Sequence, residues 1–136
     1  MTFHLQIVTP DGIDFDGEAE MLSVRTQEGV IGILPRHTDY VSPLGMGEAV
    51  VTVDGRQRRA ACIGGMISVH AGSVRLVPTT FEWAEEIDLD RAKDAENRAR
   101  ARLAEENLSK REIAIAEARL HRALVRRTVG ERRVGE

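Results

Sequence analysis

The sequence predicts an α+β protein, with an antiparallel β-sandwich or barrel over residues 1–83 followed by an antiparallel two-helix hairpin over 84–136. Three observations carry this expectation. Over residues 2–77, short apolar runs are broken by Gly, Pro and Asp, the pattern of many short strands. From Asp88 to Ala104 there is no Gly or Pro, and Ala recurs at 92, 95 and 99 between Leu89 and Leu103, which is the helical period. Ser109-Lys110-Arg111-Glu112 then reads as a capping box opening a second helix. The link between the two helices is short enough to require antiparallel packing.

Taken in order, strands are expected at 4–8, 19–26, 30–34, 49–53, 58–63, 66–70 and 74–77. Asp54-Gly55 is the clearest hairpin turn, because Gly readily takes the positive φ that tight turns need. Ala71-Gly72 is a second turn, and Gly64-Gly65, between two strand candidates, reads as a bulge or tight turn. In the helical part Asp88 is the N-cap of the first helix. Ile113, Ala116, Leu120, Ala123 and Leu124 form the apolar stripe of the second, and Gly130 is its expected stop. A seam made mostly of Ala buries little area, so at about 25 cal/mol per Å² it is weakly held and expected to need outside support.

Composition narrows the function classes. The 136 residues suit one ordinary domain with a small second part, and no run approaches the roughly 20 apolar residues of a membrane span. The N-terminus lacks the basic start and apolar core of a secretory signal, which points to the cytoplasm. A single cysteine, Cys62, excludes an internal disulfide and reads as a buried thiol within an apolar run. A net charge of -3 argues against a nucleic-acid partner. Its distribution is uneven: residues 1–83 hold six basic and ten acidic side chains, 84–136 thirteen and twelve. Over 119–133 there are six arginines against one glutamate, Glu131, a tail suited to an acidic partner.

Enzymatic motifs are absent. His4, His37, His70 and His121 are scattered without metal-ligand spacing, so no metal is expected. Ser68 beside His70, and Thr38 and Asp39 beside His37, lack a nucleophile elbow, and the chain has no phosphate loop. Ordinary surface and turn roles account for them.

The segment Glu28-Gly29-Val30-Ile31-Gly32-Ile33-Leu34-Pro35-Arg36-His37 sets two Gly and a Pro around a short apolar strand and leaves His37 in a loop. With Gly64-Gly65-Met66-Ile67-Ser68-Val69 and the helical hairpin after it, this order resembles the epsilon subunit of bacterial F-type ATP synthases along nearly the whole chain. Val30 stands where that family commonly has an acidic residue facing the membrane-embedded ring. Asp39 replaces a frequent Pro and Ser68 a frequent Glu.

Ile87-Asp88-Leu89-Asp90-Arg91-Ala92 resembles the Ile-Asp-x-x-Arg-Ala nucleotide signature of some members, accompanied by Glu82, Arg98, Arg122 and Arg126. The resemblance implies that these residues surround ATP. It sets the arginines near the phosphates, and Glu82, Ile87, Asp88 and Ala92 nearer the nucleoside. Read from spacing alone, Arg91 and Arg98 lie two turns apart on one helix face, and Asp88 and Asp94 can pair with them. The positions three and four residues from Arg122 and Arg126 hold no carboxylate. These two repel each other at i, i+4, so they favour an outside anion, either a nucleotide phosphate or an acidic protein surface. Arg119 lies outside the signature and is expected to matter less.

The resemblance implies a non-catalytic rotor-stalk subunit at the cytoplasmic face of the cell membrane, peripheral to it. The β part, through a loop with Glu28, Val30 and His37, would contact the gamma subunit and the ring of c subunits. The hairpin would bind ATP as a regulatory ligand, with no required cofactor. It would restrain hydrolysis by reaching the alpha and beta subunits of the catalytic head. The competing expectations are a free-standing small-ligand binding β-sandwich, indifferent to any ATPase, and a hydrolase using Ser68 and His70.

Overall fold

The computed structural model describes residues 1–135, with side chains placed through Arg132, so Arg133 of the basic tail and Glu136 lie outside the described side chains. Two compact units are present, Met1–Trp83 and Ala84–Glu136. The first is an antiparallel β-sandwich of eight strands: β1 Phe3–Thr9, β2 Gly12–Ala19, β3 Met21–Thr26, β4 Gly29–Ile33, β5 Tyr40–Pro43, β6 Met46–Val53, β7 Arg56–His70 and β8 Ser73–Trp83. They hydrogen-bond in the order β2-β1-β8-β7-β6-β3-β4, with β5 added on β7. Every pairing is antiparallel except β1 with β8, which run parallel through Leu5↔Val74 and Ile7↔Leu76. These strands lie far apart in sequence, so no hairpin dictates their relative direction.

Alternation places the core. Phe3, Leu5 and Ile7 of β1, Leu22 and Val24 of β3, Val51 of β6, Ile67 and Val69 of β7, and Val74 and Leu76 of β8 are buried, while their neighbours turn outward. Each such Leu, Ile or Val contributes about 1.5–3 kcal/mol relative to exposure. Trp83 closes the end of β8, with Phe81 edge-on at 4.9 Å and the Arg58 guanidinium 3.7 Å over its ring.

Asp54-Gly55 and Ala71-Gly72 form the expected two-residue hairpin turns. Both residues of each have positive φ, 51° and 74° in the first, 49° and 81° in the second. This is the type I′ geometry whose twist matches that of paired strands. Gly64-Gly65 is a correction: it makes neither a turn nor a register shift. The two expected strands are one continuous β7, kinked by positive φ at both glycines, 68° and 97°. Here β7 changes partner, from β6 before the kink to β5 after it. A Cβ on Gly65 would lie 2.0 Å from the Val77 carbonyl oxygen.

Two strands escaped the sequence reading. β2 is an edge strand whose acidic residues and exposed Ile13 hide the alternation, and β5 is only four residues ending in Pro. Charge and proline are common on sheet edges because they discourage further pairing, which also erases the strand signature.

In the second unit a 3₁₀ turn, Ala84–Glu86, leads to α1, Leu89–Leu103, and α2, Lys110–Gly135. Asp88 caps α1 by accepting the Arg91 amide at 3.2 Å. The capping box of α2 forms as expected: Ser109 N–H donates to Glu112 at 3.0 Å, and Glu112 N–H to the Ser109 hydroxyl at 3.1 Å. The Ser109 amide, the Ser109 hydroxyl and Arg102 hold the Glu112 carboxyl below its ordinary value. Gly130 does not stop α2, and this too is a correction. It is buried, and a Cβ there would meet Leu89 at 2.8 Å and Ile87 at 3.1 Å. Its missing side chain is spent on close approach to the segment entering α1.

Candidate functional site

The hairpin seam uses Ala92 and Ala99 of α1 against Ala116, Ala123 and Val129 of α2, all buried. Small residues bring the helices together. Where they part toward solvent, they leave a groove of about 540 Å³. Ala95, Ala99, Ala116 and Ala123 are among its lining, with Arg98 and Arg102 from α1 and Arg119, Arg122 and Arg126 from α2. The sole carboxylate of that lining is Glu112, which already accepts from Ser109 and from Arg102 at 2.5 Å. Arg102 also bonds Glu105. Among the described residues Arg98, Arg119 and Arg122 make no ion pair, and the expected Asp94–Arg98 pair does not form. The groove is therefore positive, with Arg98, Arg119 and Arg122 uncompensated among the described residues.

Of the eight residues expected around a nucleotide, the groove brings together Arg98, Arg122 and Arg126. The others lie elsewhere. Asp88 is occupied as a cap, Arg91 is exposed, Ile87 and Ala92 are buried, and Glu82 sits on β8 of the β unit opposite Ala61. Sequence reasoning assigned no role to Arg102, and it gave Arg119 a lesser one because that residue lies outside the signature. The signal that finds both is helical spacing, since 95, 98, 99 and 102 form one stripe of α1 and 112, 115, 116, 119, 122, 123 and 126 one stripe of α2.

A second missed feature ties the helices together away from the groove lining. Glu96, 7% exposed at its side chain, accepts from Arg100 at 2.9 Å and from Arg127 of α2 at 2.6 Å, and Arg127 also reaches Glu131 at 2.8 Å. The hydrogen bonds from Arg127 and then Arg100 hold the Glu96 carboxyl below its ordinary range, and Glu131 and Glu96 raise Arg127.

In the β unit, Glu28 sits at the exposed tip of the β3–β4 hairpin. Its amide donates to Thr26 Oγ1 at 3.1 Å, and that hydroxyl donates to the Gly29 carbonyl at 3.0 Å. Val30, next along β4, is 62% exposed. Leu34 is 56% exposed, so apolar surface continues past the strand. His37 follows in the β4–β5 loop with its ring edge-on to Tyr40 at 6.1 Å. No three His, Cys, Asp or Glu among the described residues cluster as a metal site, and no described helix is long and apolar enough to cross a membrane. Cys62 is buried and its thiol is pushed up to about 12 by desolvation, which leaves it unreactive.

Residues 2–84 match the β-sandwich domain of the ATP synthase delta/epsilon chain, and residues 85–129 match the long α-helix domain of the same family. The chain belongs to the ATP synthase delta/epsilon family. Among its relatives, the ATP synthase epsilon chain of Alkaliphilus oremlandii is 44% identical over 102 residues, 75% of this chain and 76% of the relative. That of Caldicellulosiruptor saccharolyticus is 37% identical over 135 residues, 98% of both. Two solved structures share the fold. One is a chain of the Euglena gracilis mitochondrial ATP synthase, with TM-score 0.78 and 24% identity, covering 88% of this chain and 76% of that one. The other is a chain of the Tetrahymena thermophila mitochondrial ATP synthase central stalk and c-ring, with TM-score 0.69 and 13% identity, covering 93% and 95%. This delta/epsilon-family chain is thus a non-catalytic, epsilon-type subunit of the F-type ATP synthase.

Proposed function

We propose that this epsilon-type subunit sits in the central stalk, where its β unit contacts the gamma subunit and the c-ring, and that its hairpin is an ATP-responsive brake on hydrolysis. The observation that carries the regulatory reading is the arginine-lined groove between α1 and α2, in which Arg98, Arg119 and Arg122 make no ion pair among the described residues. Arg98, Arg122 and Arg126 approach it from both helices, and guanidinium groups recognise phosphate oxygens through paired, charge-assisted hydrogen bonds. Phosphate bound among them would relieve the i, i+4 repulsion between Arg122 and Arg126 and bridge the two helices. When ATP is scarce Arg98 and Arg122 are available to an acidic surface on the catalytic head, and hydrolysis is restrained. The exposed Val30, two residues after Glu28, and the exposed Leu34 just past the far end of β4 support the stalk reading, offering the ring an apolar rather than an acidic contact.

Calorimetric titration of the full chain with ATP tests this. Saturable binding is expected, weakened in Arg122→Ala and in Arg126→Ala by about 1.5–3 kcal/mol, the worth of a hydrogen bond to a charged group. Binding unaffected by either substitution would remove the groove from the account.

A further inference from the structure

Arg119 belongs to no nucleotide signature, yet it lines the same groove as Arg122 and Arg126. We propose that Arg119 is a third phosphate-binding arginine on α2, and that the groove recognises a chain of phosphates rather than a single one. This rests on the nucleotide reading of the groove and extends it.

The argument begins with spacing. Positions 119, 122 and 126 are i, i+3 and i+7, one stripe of a helix, spread over about 10 Å of its axis at about 1.5 Å per residue. A single phosphate does not extend along such a row, whereas a polyphosphate chain does. Compensation comes next. The neighbours of Arg119 three and four positions away are Ile115, Ala116, Arg122 and Ala123, so those positions supply no carboxylate and one like charge. Across the groove stand Ala95, Arg98, Ala99 and Arg102, again without a carboxylate. Glu112, the one acid in the lining, is taken by Ser109 and Arg102. Arg119 makes no ion pair among the described residues, so its charge adds to the field in the groove and is not cancelled there. Finally, the floor is alanine, and short side chains let phosphate oxygens come close to both helices.

The test titrates the full chain with ATP and, separately, with inorganic tripolyphosphate. Arg119→Ala, Arg119→Lys, Arg122→Ala and Arg111→Ala are compared, with helix content checked by circular dichroism. Arg111 is exposed on α2 and outside the groove lining. Arg119→Ala is expected to weaken both ligands about tenfold or more, with Lys recovering part of the loss and Arg111→Ala leaving binding as it was. Arg119→Ala that binds both probes as tightly as the unchanged protein overturns the proposal. If Arg122→Ala loses affinity in that same experiment, the nucleotide reading of the groove survives on its own. Equal loss in Arg119→Ala and Arg111→Ala also overturns it, because a diffuse basic surface then explains the binding. An unchanged protein that binds neither probe overturns both readings.

Discussion

At the scale of single residues, the backbone is most demanding at the kink in β7. Gly65 holds φ at 97° with Val77 O where a Cβ would have to be, and both the positive φ and the clash with fixed backbone oppose any side chain. Gly65→Ala is therefore expected to destabilise the β unit by more than about 3 kcal/mol, among the larger single-residue effects. Gly55→Ala, at φ 74° with nothing within 4 Å of the added carbon, carries only the conformational penalty of about 1–2 kcal/mol. Chemical denaturation of the two variants measures the difference, and equal losses would mean that the close approach at Val77 is not what fixes Gly65. The sequence shows two adjacent glycines at 64 and 65, but not which of them lies under a carbonyl. A glycine pair between apolar runs reads as a turn because turns are the common reason for one, and only the pairing of β7 with β8 across the kink reveals the other. Gly130 misled for the same reason: a glycine near the end of a helical pattern has the appearance of a stop until Leu89 and Ile87 are seen against it.

At the scale of elements, what was legible is what local physics decides. Caps, turn residues and hydrophobic period all act within a few positions, so Asp88, Ser109 with Glu112, Asp54-Gly55 and the run of alanines could be assigned before any fold was known. The Glu96–Arg127 contact joins residues 31 apart, and its polar partners resemble any solvated helix face in sequence. The alanine seam therefore looked weaker than the structure makes it, since a nearly buried carboxylate bridges the two helices. Removing Arg127 leaves the nearly buried Glu96 carboxylate held by Arg100 and no longer by α2, and removing Glu96 leaves Arg127 bound to Glu131 of its own helix, so either change breaks the tie between the helices. Glu96→Gln and Arg127→Ala should both lower the hairpin's helical stability, well beyond Arg111→Ala. The pH dependence follows from the direction of the shift. Glu96 is held below its ordinary value of 4.5, so its contribution is complete above that value and is lost as pH falls through the lowered one. Helical signal in the unchanged protein should hold from neutrality to about pH 5 and decline below that. The part of the decline due to Glu96 should vanish in Glu96→Gln, and an identical acid profile in that variant would assign the loss to other carboxylates such as Glu112.

At the scale of the whole molecule, the two units divide the physical work between them. The buried cluster from Phe3 to Trp83 is complete within the β unit, drawing on seven of its eight strands and the segment at Leu44. Every residue lining the groove falls between Ala95 and Arg126, in the hairpin. Charge follows the same division, with the β unit carrying the negative excess and the hairpin a slight positive one that the groove concentrates. A chain ending at Trp83 keeps all of that core and loses all of the groove. It should be soluble, unfold cooperatively with a β-type circular dichroism spectrum, and bind no ATP. Reconstituted with the remaining subunits, it should still assemble and support proton-coupled synthesis, because the exposed hairpin tip with Glu28 and Val30 remains, while restraint of hydrolysis falls. Separate results bear on separate parts of this reasoning. A truncated chain that fails to fold would mean that the core needs residues beyond Trp83. One that folds but still binds ATP would move the nucleotide site into the β unit, where Glu82 lies. One that assembles yet restrains hydrolysis as strongly as the full chain would take the brake away from the arginines of α2 altogether.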